Sequence, residues 1–237
     1  MGQSEDLSAQ RARAARLLEA GDALFCASRA AAITLAVASL LDGGGGRGRR
    51  RPVVMLAAHD RFHGATTSAL LRLAGARVIT VGSVDRAERH EVETALDAPG
   101  TAGIHVDACP PAGSGSYPAA HELIFAARRR GLPAVVHVPD AARAVAILDA
   151  GAALVTLGVD GAAGIIAGTA GAVARCAGLF DGMGAAMTAH RCGIDEALAV
   201  LARDAPNPES PRPIPLRSTT WRAGGNGELL GPFESDG

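Results

Sequence analysis

Histidine and aspartate residues recur in this sequence where short apolar segments end. Three pairs have a spacing that metal ligands often show: His59-x-x-x-His63, His105-x-Asp107 and His137-x-x-Asp140. The first pair lacks the glutamate of the H-E-x-x-H zinc motif. Since single histidines at strand ends are more often hydrogen-bonded core residues, we expect no metal site in this chain.

Residues for nucleophilic or phosphate chemistry are sparse. Cys109 precedes two prolines, and nothing in the sequence would make it a thiolate, so we interpret it as structural. The sequence has neither a G-x-S-x-G nucleophile elbow nor a G-x-x-x-x-G-K-[ST] phosphate loop. The segment Gly113-Ser114-Gly115 lacks the third glycine of a dinucleotide-binding fingerprint. The sequence therefore favours neither a serine hydrolase, nor a P-loop nucleotide-binding enzyme, nor a dinucleotide-dependent enzyme.

The chain contains no lysine, because all 23 of its basic residues are arginine. GC-rich coding, which also favours alanine and glycine, is a sufficient explanation for this bias. The chemical consequence is the same whatever its origin. A guanidinium group stays protonated in proteins and cannot form an imine with an aldehyde. Chemistry that needs a lysine side chain is therefore excluded for this chain alone.

Short apolar segments alternate with helical patterns along most of the sequence. Continuous apolar strands between helices predict an α/β fold with three layers, in which a mostly parallel sheet has helices on both faces. Helices are predicted at 7–20, 28–41 (with Ser28 as N-cap), 61–74, 88–97, 118–130, 141–149 and 190–204. Strands are predicted at 53–57, 77–81, 103–106, 134–138 and 154–157, with a strand pair between 164 and 175.

Ligands bind such sheets at the carboxyl ends of the strands. The segments predicted there are 58–60, 82–83, 107–108, 139–140 and 158–160. The pattern divides the chain into an N-terminal helical segment (1–23), an α/β domain (24–204) and a Pro/Gly-rich tail (205–237). We expect any binding or catalytic site to draw on the strand-end segments of the α/β domain.

Charge and hydropathy narrow the cellular setting. A net charge of -1 gives no basic field for nucleic acid, so we expect none to bind. No apolar run approaches the roughly 18 residues that cross a membrane, and the sequence opens without a signal-peptide pattern. We expect a cytoplasmic protein with reduced thiols.

Several segments occur in the order in which one enzyme family carries its site motifs. Residues 26–32 (Cys-Ala-Ser-Arg-Ala-Ala-Ala) are similar to a phosphate cup of the type Ser-Gly-Ala-Ala-Ala. Residues 58–82 are similar to a His-Arg-Asn segment that leads into Ala-Gly-Ala, a strand and Val-Gly, and residues 131–142 to a strand ending in Val-Asp-Ala-Ala. Residues 151–161 are similar to Gly-Ala-Asp-Leu-Val-x-Phe-Ser-Gly-x-Lys. Over residues 24–203, about three quarters of the chain, the sequence resembles the fold-type I pyridoxal-phosphate (PLP) enzymes, in the branch of the seryl-tRNA(Sec) selenium transferases and the sugar-acid ammonia-lyases.

The resemblance implies a role for particular residues. His59 would stack on the pyridine ring of PLP, and Asp140 would pair with the protonated pyridine nitrogen. Gly161 stands where the family has its Schiff-base lysine, and the motif at 182–188 has lost the family's arginine and lysine. The resemblance also implies a reduced small domain. The residues that would form the phosphate cup at a helix N-terminus are Ser28, Arg29 (in place of the family's glycine) and Ala30.

Three hypotheses for function follow from this resemblance. The first, which we prefer, is a non-catalytic subunit of a heteromeric PLP-dependent enzyme that supports a lysine-bearing paralogue, because the family builds its sites at dimer interfaces. The second is an enzyme with changed chemistry in the old pocket, through lysine-independent use of PLP or a PLP-free lyase or transferase reaction. The third is a ligand-binding scaffold. The expected partner is a paralogous PLP-enzyme subunit, or a second copy of the chain in a homodimer. PLP is expected only non-covalently or in a partner's site, and otherwise no cofactor is expected.

Overall fold

The computed structural model describes residues 2–42, 50–60, 65–109, 115–159, 163–183 and 191–206. Residues 1–206 form one compact unit, and the tail beyond it lies outside the described residues. The helices are α1 (Gly2–Leu17), α2 (Arg29–Leu41), α3 (Thr67–Leu73), α4 (Arg89–Leu96), α5 (Ala120–Arg128), α6 (Ala141–Asp149), α7 (Ala170–Met183) and α8 (Arg191–Asp204). The strands are β1 (Asp22–Cys26), β2 (Pro52–Leu56), β3 (Arg77–Val81), β4 (Gly103–Asp107), β5 (Ala134–His137), β6 (Leu154–Val159) and β7 (Ala163–Gly168).

The strands form one seven-stranded sheet in the order β1-β7-β6-β5-β4-β2-β3. The central strands pair in parallel, whereas β7 runs antiparallel to both β6 and β1. Parallel neighbours need crossover connections, and the helices between the strands provide them. The predicted α/β class with a mostly parallel sheet is therefore confirmed.

Helices cover both faces of the sheet and bury two apolar clusters. One cluster contains Leu35 of α2, Leu71 of α3 and Val173 of α7, so these three helices share one face, called here the α2 face. The other cluster contains residues of α1, α4, α5, α6 and α8, among them Ala14 and Ile124. A sheet covered on both sides explains why its strands are continuously apolar.

Helix α2 runs across the sheet against the strand direction. The Ser28 hydroxyl accepts a hydrogen bond from the Ala31 amide at 3.1 Å, so Ser28 caps the helix as predicted. All residues from Ala32 to Leu40 are buried, which accounts for the absence of a polar stripe. At the far end the Arg51 guanidinium donates to the Leu40 carbonyl at 3.2 Å. The N-terminus of α2 consequently lies at the carboxyl edge of the parallel strands.

The predicted strand pair between 164 and 175 is wrong. That region contains one strand, β7, followed at once by helix α7, whose first turn is held by a 3.4 Å hydrogen bond from the Ala172 amide to the Thr169 hydroxyl. Alanine is the best helix former, and the alanines after Thr169 favour this outcome. Strand β7 instead pairs antiparallel with β6 and with β1, and β1 was not predicted as a strand.

Other boundaries move by a few residues. The helix predicted at 61–74 begins at Thr67, capped by the Thr66 hydroxyl, and residues 61–64 lie outside the described part of the chain. The N-terminal helix begins at Gly2 rather than at residue 7. Among the described residues, no helix has the length and apolar character to cross a lipid bilayer.

Candidate functional site

Three polar residues lie side by side across the centre of the sheet. Asp107 of β4 is in register with His137 of β5, which is in register with Thr156 of β6. Residues paired in this way project to the same side of a sheet, and here that side is the α2 face. His137 Nδ1 and Thr156 Oγ1 lie 3.2 Å apart, in hydrogen-bonding distance.

His59 joins this row from the neighbouring strand. It ends the short 3-10 turn Ala57–His59 that follows β2, and its Nδ1 accepts a hydrogen bond from the Asp107 amide at 3.2 Å. His59 is only 5 % exposed, and Asp107 only 4 %. The predicted ring-stacking residue is thus a buried side chain whose Nδ1 is already bonded to the protein backbone. His59 also makes at least one further interaction within the protein.

Asp60, the next residue, bonds to the first turn of helix α3 and is not part of this row. Its carboxylate accepts hydrogen bonds from the Ser68 amide at 2.7 Å and the Ser68 hydroxyl at 2.8 Å. A carboxylate near a helix N-terminus stabilises the unpaired amides there. Asp60 therefore ties the end of the turn after β2 to the first turn of α3.

His105 lies two residues before Asp107 on the same face of β4 and is 1 % exposed. Within the described part of the chain neither of its ring nitrogens has a hydrogen-bond partner. Burial lowers the pKa of His105 to about 3, and the neighbouring His137 adds to this shift, so the ring is neutral at physiological pH. An unpaired buried polar group costs about 1–3 kcal/mol, which makes His105 an unusual core residue.

Asp140 serves as the N-cap of α6. Its Oδ1 accepts a hydrogen bond from the Arg143 amide at 2.7 Å, and the residue is half-buried. It lies three residues beyond the end of β5, whereas His137 is the last residue of that strand and belongs to the buried row. Its assignment to a pyridine nitrogen stays a prediction, and its observed hydrogen bond is a structural one.

The N-terminus of α2 packs directly on two glycines of the sheet. A Cβ atom at Gly164 would overlap the Ser28 carbonyl, and one at Gly158 would overlap the Arg29 side chain. Ser28 is exposed, and Arg29 and Ala30 are half-buried, at the start of this helix. The three residues of the predicted phosphate cup therefore lie at the carboxyl edge, beside β6 and β7. The Arg29 side chain occupies the space above Gly158.

Other predicted positions fall outside the described residues, namely His63, Gly161 and most of the motif at 182–188. Within the described ranges, no group of three or more histidine, cysteine or acidic side chains could hold a metal ion. Sequence reasoning missed Thr156, since a threonine inside an apolar strand gives no signal of its own. Only the register of β5 with β6 identifies it.

No protein-family model and no curated protein matches this sequence. Solved structures do match it. The structure of a D-glucosaminate-6-phosphate ammonia-lyase has a TM-score of 0.72 and 22 % identity, covering 82 % of this chain and 56 % of that one.

Two further solved structures resemble the chain at lower identity. An aromatic amino acid β-eliminating lyase/threonine aldolase-like protein from Exiguobacterium sp. 255-15 gives a TM-score of 0.62 and 19 % identity, over 83 % of this chain and 58 % of that one. The serine palmitoyltransferase of Sphingomonas wittichii gives 0.61 and 11 %, over 84 % and 50 %. The chain thus spans between half and three fifths of the length of these proteins.

The site residues fit a lysine-anchored PLP poorly. The full sequence offers no lysine amine to the aldehyde, and the protonated side chains of its arginines cannot replace one. Sheet order, helix placement and the neighbours nevertheless agree on one architecture. The chain has the fold of the fold-type I PLP-dependent enzymes.

Proposed function

We propose that this chain is a non-catalytic subunit of a heteromeric PLP-dependent enzyme, and that it supports a paralogous partner which carries the Schiff-base lysine. One observation carries the proposal: a fold-type I domain is retained, while the sequence has no lysine at all. In such enzymes lysine holds the aldehyde and moves protons as a general base. A chain without it can still contribute a folded surface to an assembly.

The contacts of the strand-end residues support this proposal. A catalytic group must present a polar atom to a substrate or cofactor, usually from a pocket that a ligand can enter. Here Asp107, His137 and Thr156 are at most 4 % exposed. Their polar atoms bond to neighbouring residues, as in the pair formed by His137 and Thr156. Such a row stabilises the sheet, and it favours a structural role over a catalytic one.

The position of Arg29 is a second supporting observation. The family's phosphate cup has glycine at this point, where the backbone can approach a phosphate closely. In this chain the Arg29 side chain instead lies across Gly158 at the carboxyl edge of β6. A long side chain in that space narrows the approach to the first turn of α2. The change is consistent with a domain that no longer needs its own cofactor.

The experiment is co-expression with a lysine-bearing fold-type I paralogue from the same genome, followed by purification through a tag on this chain. We expect a stable complex whose turnover of an amino-acid substrate exceeds that of the paralogue alone. The matched control is the complex in which the paralogue's Schiff-base lysine is replaced by alanine, which should assemble but not turn over. Turnover by this chain in the absence of the paralogue would contradict the proposal and favour an enzyme with changed chemistry.

A further inference from the structure

The two edges of the sheet differ in how they are protected. At the β1 edge, Arg11 of α1 donates a hydrogen bond from Nε to the Ala23 carbonyl at 2.8 Å. The same guanidinium pairs with the Asp22 carboxylate at 2.8 Å. A side chain that bonds an edge carbonyl prevents another strand from adding there. The β1 edge is therefore blocked from within the chain.

The opposite edge, β3, has no such cover within the described ranges, where no strand lies outside it. The Arg77 amide donates to the Arg51 carbonyl at 2.9 Å. Together with the parallel register, this bond shows which residues of β3 direct their backbone groups toward β2. In a parallel pair, alternate residues direct both backbone groups to the same neighbour. Arg77, Ile79 and Val81 therefore bond β2, and the N–H and C=O groups of Val78 and Thr80 point outward.

We propose that β3 pairs in antiparallel fashion with β3 of a second copy of this chain, about a twofold axis at Ile79. In that register Val78 of one copy faces Thr80 of the other, and each such pair exchanges two backbone hydrogen bonds. Val78 and Thr80 are also the two residues whose backbone groups point outward at this edge. The register thus satisfies all four outward groups in each copy.

The side chains are also self-complementary in this register. Ile79 of one copy faces Ile79 of the other. The two residues form a close, non-hydrogen-bonded pair, in which β-branched side chains pack well. Arg77 faces Val81, so no like charges are opposed across the axis. Edge strands that avoid pairing commonly carry an inward-pointing charge or a proline at their centre, and β3 has neither.

Exposed apolar residues flank this edge. Leu73 is 75 % exposed at the end of α3, a helix that packs on β3, and Val84 is 68 % exposed three residues after the strand. A second copy beside β3 would cover such residues, and large exposed apolar side chains often mark an interface. Since β2 separates β3 from β4, this pairing leaves the carboxyl ends of β4, β5 and β6 available to a different partner.

The first test is the solution mass of the full chain and of two variants at Thr80. Thr80→Pro removes an outward N–H without removing a bond to β2, and proline is tolerated on such edge positions. Thr80→Val keeps that N–H and is the matched control. We expect wild type and Thr80→Val at twice the 23.9 kDa chain mass and Thr80→Pro at the single mass. A monomeric wild type, or a dimer that Thr80→Pro leaves intact, would overturn the proposal.

Hydrogen exchange of the wild type supplies a test that does not depend on whether Thr80→Pro folds. The amides of Val78 and Thr80 should exchange slowly at high protein concentration and become faster on dilution, whereas that of Ile79 should stay protected by β2. Fast exchange at Val78 and Thr80 at every concentration would overturn the pairing. That outcome would leave the heteromeric function untouched, because the pairing uses the β3 edge and not the carboxyl ends of β4, β5 and β6.

Discussion

The backbone amide of Asp107 donates a hydrogen bond to Nδ1 of His59 across 3.2 Å, although the two residues are 48 positions apart in the sequence. The bond ties the end of β4 to the turn that follows β2. It also fixes the His59 tautomer, because an acceptor Nδ1 must be unprotonated. A residue that the resemblance assigns to a cofactor ring thus has a structural hydrogen bond inside the fold.

Replacing His59 should therefore lower the stability of the domain. His59→Ala leaves the buried Asp107 amide without its acceptor and opens a cavity, so we expect a loss of about 2–4 kcal/mol in the free energy of unfolding. His59→Asn places an amide oxygen near the position of Nδ1 and should recover part of that loss. Urea unfolding followed by circular dichroism measures both values. Equal stability of wild type and His59→Ala would show that the bond contributes nothing.

The buried His105 should make stability depend on pH. Burial lowers the pKa of His105 from 6.5 to about 3, so below pH 6.5 the unfolded chain binds a proton that the folded chain does not. The contribution of this group is constant above pH 6.5 and falls by about 1.4 kcal/mol per pH unit as pH drops toward 3. Asp107 opposes the shift, while His137 and His59 reinforce it.

His105→Leu tests this dependence directly. Leucine has a similar volume and no polar atoms, so the variant should be at least as stable as wild type at pH 7 and should lose less stability between pH 6.5 and 4. The exposed His121 offers the matched control, and His121→Leu should keep the wild-type slope. Unfolding curves across that pH range that coincide for wild type and His105→Leu would rule out a linked His105.

The contact between α2 and β7 should be intolerant of one added methyl group. A Cβ at Gly164 would overlap the Ser28 carbonyl, which cannot move without shifting the cap of α2, so Gly164→Ala should destabilise the domain strongly. The same change at Gly178 of α7 meets open space and should stabilise the helix by about 0.5–1 kcal/mol. Thermal unfolding compares the two variants. An unchanged melting temperature for Gly164→Ala would mean that α2 does not pack there.

The sequence predicted the elements whose patterns are local. Helix α2 is a long apolar run after a capping serine, and the strands from β2 to β6 are apolar runs between glycine-rich turns. Strand β1 was missed because its five residues follow the N-terminal helix closely and pair with a strand far along the chain. Helix α7 was missed because Ile165 and Ile166 suggested that strand structure continues beyond Gly168, which only the capping role of Thr169 contradicts.

The candidate site was predictable in place but not in detail. Strand ends that carry His59, Asp107 and Asp140 can be read from the sequence, since parallel strands end at one edge. The hydrogen bonds of these residues cannot be predicted from the sequence. The bond to His59 and the cap formed by Asp140 depend on how far each neighbouring element extends along the sheet. The register that joins His137 to Thr156 is a property of the sheet rather than of either strand.

In the proposed assembly, this chain contributes no Schiff base to the PLP enzyme. The most direct measurement is reduction of the PLP-loaded complex with borohydride, followed by mass spectrometry of the peptides from both chains. We predict phosphopyridoxyl on a lysine of the paralogue and none on this chain, apart from any at its N-terminal amine. Turnover with no phosphopyridoxyl-lysine on the paralogue, or PLP chemistry by this chain alone, would contradict the proposed role as a non-catalytic subunit.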